Sequence, residues 1–494
     1  MKKATDFPFW LVITPIYFLT RLLNLKIIPI FTDEAIYSYW AQVALHDPVN
    51  RFISLEDGKQ PLFIWLAAVF QKFIADPLVA GRLVSTLAGF GSTVGIYLLA
   101  KDIFNKKVAK IASILYIILP FTLLYDRMAL FDSLLTMLGI YAILFSIKLA
   151  RDPRLDWAML SGVAIGLAMI TKSSGVFFLY LLPASLLLAD LKKSPKAKIL
   201  KWLPFALVTF IISQVAYNSL RLSPLFYIIA RKNLEFVRSL SEVVADPFLY
   251  LTSNFSALTS WIITYMGIPL FAVLVIATVW GLLKRNIKVA YLALLTLVPF
   301  GAEAFFNKVL YPRFILFYFP YVILLTAFGI NSLAQNFQMF KKYVVLFVLF
   351  ALLVPSVSSF YLLTSPTRAK IATSDAGQYL NDWPAGYGVA EIVTFLKNAP
   401  EDRQIYVGTE GTFGLLPFGL QIYFFGQQNL HIIGFWPVNH NDLPTQILEL
   451  AQDNPTYFVF NETQSEITNQ HLKLVAKYQK GIGDSYMRLY EVLP

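Results

Sequence analysis

Long apolar runs, broken by short charged or turn-forming segments, fill the chain up to residue 363, where the pattern changes. A bilayer-crossing helix needs about 20 mostly apolar residues. Runs that reach or approach this length lie at 8–25, 79–100, 108–125, 128–148, 156–171, 175–190, 202–220, 259–283, 287–304, 314–331 and 343–363. The first follows Met1-Lys2-Lys3, lacks a small-residue cleavage site and runs into Arg21, so it is expected to be an uncleaved anchor. The loop after it, 26–78, holds two further helical stretches. One begins at Thr32-Asp33-Glu34, with Thr32 as the expected cap, and continues as AIYSYWAQVAL, whose Tyr37, Tyr39 and Trp40 suit a helix lying in the interface. The other, PLFIWLAAVFQKF at 61–73, is too short to cross. Beyond residue 363, short β-favouring runs at Gln404–Val407, Leu430–Ile433, Tyr457–Phe460 and Met487–Val492 alternate with helical patterns near 388–398, 413–424 and 443–452. The expected fold is a polytopic α-helical membrane protein with about 11 transmembrane helices and juxtamembrane helices in its first outer loop, over residues 1–363. A small α/β domain over 364–494 follows it.

Charge orients this arrangement. Only 14% of residues are charged and 57% are hydrophobic, against about 25% charged in soluble domains. With the N-terminus inside, the inner segments carry 19 Lys/Arg and 5 Asp/Glu, whereas the outer segments up to 363 carry 14 and 12. This positive-inside bias places the protein in the cytoplasmic (inner) membrane, with its N-terminus cytoplasmic and residues 364–494 outside. It also accounts for the net charge of +11 without a nucleic-acid partner, and the bilayer is the partner it implies. The absence of cysteine excludes disulfides, thiolate metal sites and cysteine nucleophiles. The four histidines show no metal-like spacing, and no cofactor or divalent metal is indicated.

The remaining ionisable residues gather in the outer turns. Asp33, Glu34 and Lys59 lie in the first outer loop, with Arg82 at the mouth of the next span. Asp126, Arg127 and Asp132 share one outer turn; Lys172 lies in the next; Glu303, Lys308 and Arg313 occupy another; Arg221, Arg231 and Arg238 follow the 202–220 run. Charges at membrane depth are expensive and usually functional. Their gathering on one side points to an outward site that holds an anionic group beside a carboxylate base. Each residue also has a plainer reading: Asp-Glu at a helix start answers the helix dipole, a lone Lys or Arg at a span end snorkels, and Arg127 between two aspartates can be a structural ion pair.

The string FTDEAIYSYWAQ, followed in order by GKQPLFIWL, GRLVSTLAG, DRMALFDSLL, ITKSSGVFF and YPRFILFYFP, resembles the protein O-mannosyltransferase and aminoarabinose-transferase group. These are GT-C glycosyltransferases that use a polyprenyl-phosphate sugar, and the likeness runs across residues 1–330. The resemblance implies that Asp33 is the catalytic base with Glu34 beside it. It aligns Lys59 with the lysine of a Lys-Pro-Pro-Leu motif, from which Gln60 departs, and Arg127 with the arginine ahead of a Leu-x-Asp ending at Asp132. Lys59, Arg127, Lys172 and Arg313 then form the set that holds the donor phosphate, and Arg82, Asp126, Asp132, Tyr37 and Glu303 complete the candidate site.

The chemistry fits these residues. A sugar on a lipid phosphate already carries its leaving group, so transfer needs a base for the acceptor hydroxyl, cations for the departing phosphate and a cleft open to lipid. Direct attack on the anomeric carbon inverts its configuration. The expected function is transfer of a sugar from a polyprenyl-phosphate donor to a hydroxyl acceptor (protein, lipid or glycan) on the outer face of the membrane. A polytopic lipid or solute transporter with an outward-facing charged site is the alternative, and an internal repeat would favour it; the sequence has none. A reporter active only in the cytoplasm is expected to work when fused after Lys196 and to be silent when fused after Pro494. The reverse pattern would contradict the topology.

Overall fold

The computed structural model describes residues 6–190, 194–336, 339, 341–399 and 403–494. Met1, Lys2, Lys3, Lys192 and Lys193, counted above with the inner segments, lie outside the described residues, as does the Lys341 side chain. Most of the apolar runs named above are helical, but 108–125 is broken at Leu119 and 175–190, expected as a span, is a five-residue α-helix followed by a 3-10 segment at Leu182–Leu188. The helices are α1 (Phe7–Leu22), α2 (Thr32–His46), α3 (Leu62–Gln71), α4 (Pro77–Ile103), α5 (Lys106–Ile118), α6 (Pro120–Tyr125), α7 (Phe131–Arg151) and α8 (Leu155–Met169). They continue as α9 (Val176–Tyr180), α10 (Pro195–Asn218), α11 (Ile228–Phe236), α12 (Leu240–Ala245), α13 (Leu251–Met266), α14 (Ile268–Leu283), α15 (Ile287–Phe306), α16 (Phe319–Asn336) and α17 (Lys341–Thr364). Among the described residues, 5 helices are long and apolar enough to cross a bilayer alone, and a bent pair makes up to 6.

Local chemistry explains several boundaries. Asp76 caps α4 by accepting from the Leu78 and Val79 amides at 3.0 and 3.2 Å, with Pro77 in the first turn. The run 259–283, expected as one span, is broken into α13 and α14, which meet at 115°. Gly267 sits at the break with φ +79, a left-handed conformation that favours glycine, and Pro269 cannot continue the hydrogen bonding of α13. Hydropathy runs straight through this bend because it registers apolarity and not backbone direction.

Residues beyond α17 fold into a five-stranded sheet of β1 (Ile405–Glu410), β2 (Leu430–Phe435), β3 (Thr456–Phe460), β4 (Leu472–Gln479) and β5 (Tyr486–Val492), in the order β2-β1-β3-β5-β4. The β2-β1-β3 part is parallel, while β3-β5 and β5-β4 are antiparallel. Helices α18 (Thr373–Ala376), α19 (Val389–Lys397), α20 (Phe418–Gln421) and α21 (Thr445–Asp453) accompany it. The expected helix near 413–424 shrinks to the single turn α20. Strand β4 escapes the sequence pattern because it is an edge strand whose residues, lysines included, stay largely exposed.

Helix α2 is the seam of the molecule. Its aromatics Tyr37 and Trp40 face protein, at 4% and 2% exposure, and pack into the core of the helical bundle. Its opposite face meets the sheet domain: Tyr39 stacks on Phe418 at 4.5 Å, and the Gln42 side chain donates to the Ile422 carbonyl at 2.8 Å. Thr32 is the first helical residue, not the cap, and its hydroxyl donates to the Pro384 carbonyl at 3.1 Å. The capping role falls to Glu34, whose carboxylate accepts from the Phe31 amide at 3.0 Å.

Candidate functional site

Two tiers of ion pairs face each other around the start of α2. In the inner tier the charges are sealed. Glu34 and Arg82, both 0% exposed, form a bidentate pair at 2.8 and 2.7 Å. The Arg82 guanidinium also donates to the Leu25, Ile28 and Pro29 carbonyls, and Glu34 accepts from the Ala129 amide at 2.7 Å. Arg21 donates to Asp126 at 3.4 Å, and Asp126 further accepts from Tyr17, Tyr116 and Ser133. Helix α4 approaches this carboxylate at Gly89, where a Cβ would stand 2.3 Å from Asp126 Cγ. Arg127 closes the C-terminus of α1 by donating to the carbonyls of Thr20, Arg21, Leu23 and Asn24 at 2.7–3.0 Å. Glu34 and Arg82 therefore bond each other and backbone, Asp126 bonds Arg21 and three buried hydroxyls, Arg127 bonds backbone carbonyls, and all four are shut off from solvent.

The outer tier is half-open. Successive residues of a helix point about 100° apart, so Asp33 turns away from the Glu34 network. Its Oδ2 accepts from Arg313 at 2.9 Å and from the Tyr37 hydroxyl at 3.3 Å, one helical turn on. Lys172 pairs with Asp132 at 2.6 Å and lies over the Phe314 ring at 4.5 Å. Asp57 takes Lys232 at 2.9 Å and Lys59 at 3.9 Å, and Lys59 lies over Phe236 at 5.0 Å. The Lys59 ammonium is held below its usual range by burial, against the opposing pull of Asp33 and Asp57 and with the added push of Arg313 and Lys172. These groups form one electrostatic cluster, drawn from the α2 start, the loop before α3, the α7 start, the turn after α8, α11 and the segment after α15.

Asp33, Tyr37, Lys59, Asp132, Lys172 and Arg313 are thus brought together, whereas Glu34, Arg82, Asp126 and Arg127 lie behind them. Glu303, on α15, accepts from the Tyr318 hydroxyl at 2.8 Å with 7% of its surface exposed. Arg238 donates to the Glu242 and Asp246 carbonyls at the end of α12, and Arg221 bonds Asn218, so neither enters the cluster. Sequence reasoning passed over Asp57 and Lys232. Asp57 stands two residues before Lys59, which was the available signal; Lys232 had none beyond its place among the outer basic residues. No group of three or more His, Cys, Asp or Glu able to hold a metal occurs among the described residues.

The tiers should respond differently to truncation. Removing one partner of a sealed pair costs about 3–5 kcal/mol, while losing a partly exposed pair costs about 0–1 kcal/mol. Arg82→Ala is therefore expected to lower the thermal unfolding midpoint in detergent well below that of Lys59→Ala, which should melt close to the unaltered protein. Equal melting of the two variants would contradict the division.

A family model described as dolichyl-phosphate-mannose-protein mannosyltransferase matches residues 58–217, which contain Lys59, Asp132 and Lys172. No curated protein sequence matches the chain significantly. ArnT from Cupriavidus metallidurans bound to undecaprenyl phosphate superposes with a TM-score of 0.56 at 14% identity, covering 99% of this chain and 98% of that one. AglB, the oligosaccharyltransferase of Archaeoglobus fulgidus, solved with an inhibitory peptide and a dolichol-phosphate, gives 0.54 at 11% identity over 93% of this chain and 69% of that one. The arabinofuranosyltransferase AftD from Mycobacteria gives 0.52 at 15% identity over 99% of this chain and 42% of that one. These matches do not favour the transporter alternative. The chain shares the fold of these solved structures, and its segment 58–217 matches the mannosyltransferase family model.

Proposed function

We propose that the protein transfers a sugar, hexose or pentose, from a polyprenyl-phosphate donor to an acceptor hydroxyl at the outer face of the cytoplasmic membrane. One observation carries this reading: Arg313, Lys172, Lys59 and Lys232 alternate with Asp33, Asp132 and Asp57 in a half-open row above an apolar bundle. A lipid phosphate rising from the bilayer would meet the cations first. The sheet domain, residues 364–494, lies outside on this reading and roofs α2.

The residues divide the work. The acceptor oxygen attacks the anomeric carbon while Asp33 takes its proton. The bond from that carbon to the phosphate oxygen breaks, its electron pair goes to the lipid phosphate, and Arg313 with Lys172 and Lys59 holds the charge that develops. Attack opposite the leaving group inverts the anomeric configuration. Glu34 and Arg82 act as positioning residues that hold the start of α2, and Arg127 fixes the end of α1.

Asp33→Asn keeps the volume and removes the proton acceptor. Loss of general-base assistance is worth about 10²–10⁴ in rate, so single-turnover transfer should fall by that factor while donor affinity and melting temperature hold. Transfer at the unaltered rate would remove Asp33 from the reaction and return it to a helix-dipole role.

A further inference from the structure

A strap of chain leaves α17 and packs beside the candidate site at Phe31, over which Arg313 lies. It carries α18 and a π-helical turn at Gly377–Asn381, a rare element that recurs at functional sites. Asp375 and Tyr379 on this strap are 0% and 1% exposed. The Asp375 Oδ2 oxygen accepts from the Tyr125 hydroxyl at 2.8 Å and from the Tyr265 hydroxyl. Its other oxygen, Oδ1, is buried without a partner, and so are the Tyr379 hydroxyl, the Gln378 Oε1 and the Ser374 Oγ. The Tyr379 hydroxyl lies beside that of Tyr125, whose own proton goes to Asp375. The Tyr379 ring meets Phe31 edge-on at 4.8 Å, and Arg313 lies over the same Phe31 at 5.5 Å. The charges of Arg313 and Asp132 act on both Asp375 and Tyr379.

A buried polar atom left without a partner is costly, and a group of them on one strap calls for a ligand that supplies hydrogen bonds. The cluster offers mainly acceptors, a carboxylate oxygen and an amide oxygen, together with two hydroxyls. Burial pushes the Asp375 carboxyl up to about 7, so a second negative charge beside it is disfavoured. A hydroxyl-rich neutral group satisfies the cluster without placing a second charge beside that carboxyl. We infer that the strap residues Asp375, Gln378 and Tyr379 form a subsite for the hydroxyl groups of the donor's sugar, beside the Arg313 end of the phosphate-binding row. The anomeric carbon is one bond from the phosphate oxygen, so the sugar of a phosphate held by Arg313 must lie next to that residue, where the strap is. This assignment rests on the glycosyltransferase reading and adds which wall reads the sugar.

The test uses the full chain in lipid nanodiscs, titrated with undecaprenyl phosphate alone and with a panel of undecaprenyl-phosphate hexoses and pentoses. The unaltered protein should bind one sugar-bearing lipid more tightly than the bare lipid. Asp375→Asn keeps an acceptor for Tyr125 and Tyr265 but places an amide N–H where Oδ1 stands. It should weaken the sugar-bearing lipid by about ten- to a hundred-fold and leave bare-lipid affinity unchanged. Tyr379→Phe removes a hydroxyl whose neighbour in the fold is that of Tyr125, and it should lose about tenfold in sugar-bearing-lipid affinity while bare-lipid affinity holds. Equal effects on both lipids, or no effect on either, overturn the assignment. Unchanged donor affinity with a raised acceptor KM also overturns it and moves the strap to the acceptor. If the unaltered protein binds both lipids equally, the strap alone is misassigned; if it binds neither, the glycosyltransferase reading falls with it.

Discussion

Everything at the outer end of the bundle depends on the buried pair between Glu34 and Arg82. Two charges at 0% exposure are tolerated only when their hydrogen bonds are filled, and here they are filled by the segments that must be fixed. Arg82 gathers the carbonyls of Leu25, Ile28 and Pro29, so the chain leaving α1 has one path. Glu34 takes the amides of Phe31 and Ala129, so the start of α2 and the turn before α7 are set against each other. Asp33 is the residue just before Glu34 on that helix. Its direction follows from helix geometry once Glu34 is locked, which makes the sealed pair the positioning device for the open one.

The division of charges into a sealed and a half-open tier is the physical basis of the proposed chemistry. A reacting group must exchange partners, and Arg313 at 12% and Asp33 at 23% side-chain exposure can do so. Arg127, with its guanidinium spent on four carbonyls at the end of α1, cannot leave without opening that helix end. The sheet domain adds the third element. It packs on α2 through Phe418 and Gln42 and delivers the strap that closes the Arg313 side, so the half-open row is walled by bundle below and domain above.

Much of this was legible in the sequence, for identifiable reasons. Membrane-depth charges collected in outer turns marked Asp33, Asp132, Lys172 and Arg313, because apolar runs make such residues stand out. The same signal marked Glu34, Arg82, Asp126 and Arg127, since hydropathy registers that a charge is present and not whether its hydrogen bonds face inward. That distinction arises in tertiary packing, as in the Gly89 contact that admits Asp126. Asp57 and Lys232 were passed over because they lie in stretches without apolar contrast. Likewise the strap at 373–381 reads as an ordinary linker, and only the burial of Asp375 and Tyr379 reveals it.

The central claim is that this cation–carboxylate row moves a sugar from a lipid phosphate by direct displacement. Its most direct test is incubation of the purified protein in lipid with radiolabelled β-linked polyprenyl-phosphate sugars and an envelope extract that supplies acceptor hydroxyls, followed by anomeric analysis of the product. The account predicts consumption of one donor and an α-linked product. A β-linked product, or no consumption of any donor, would contradict it.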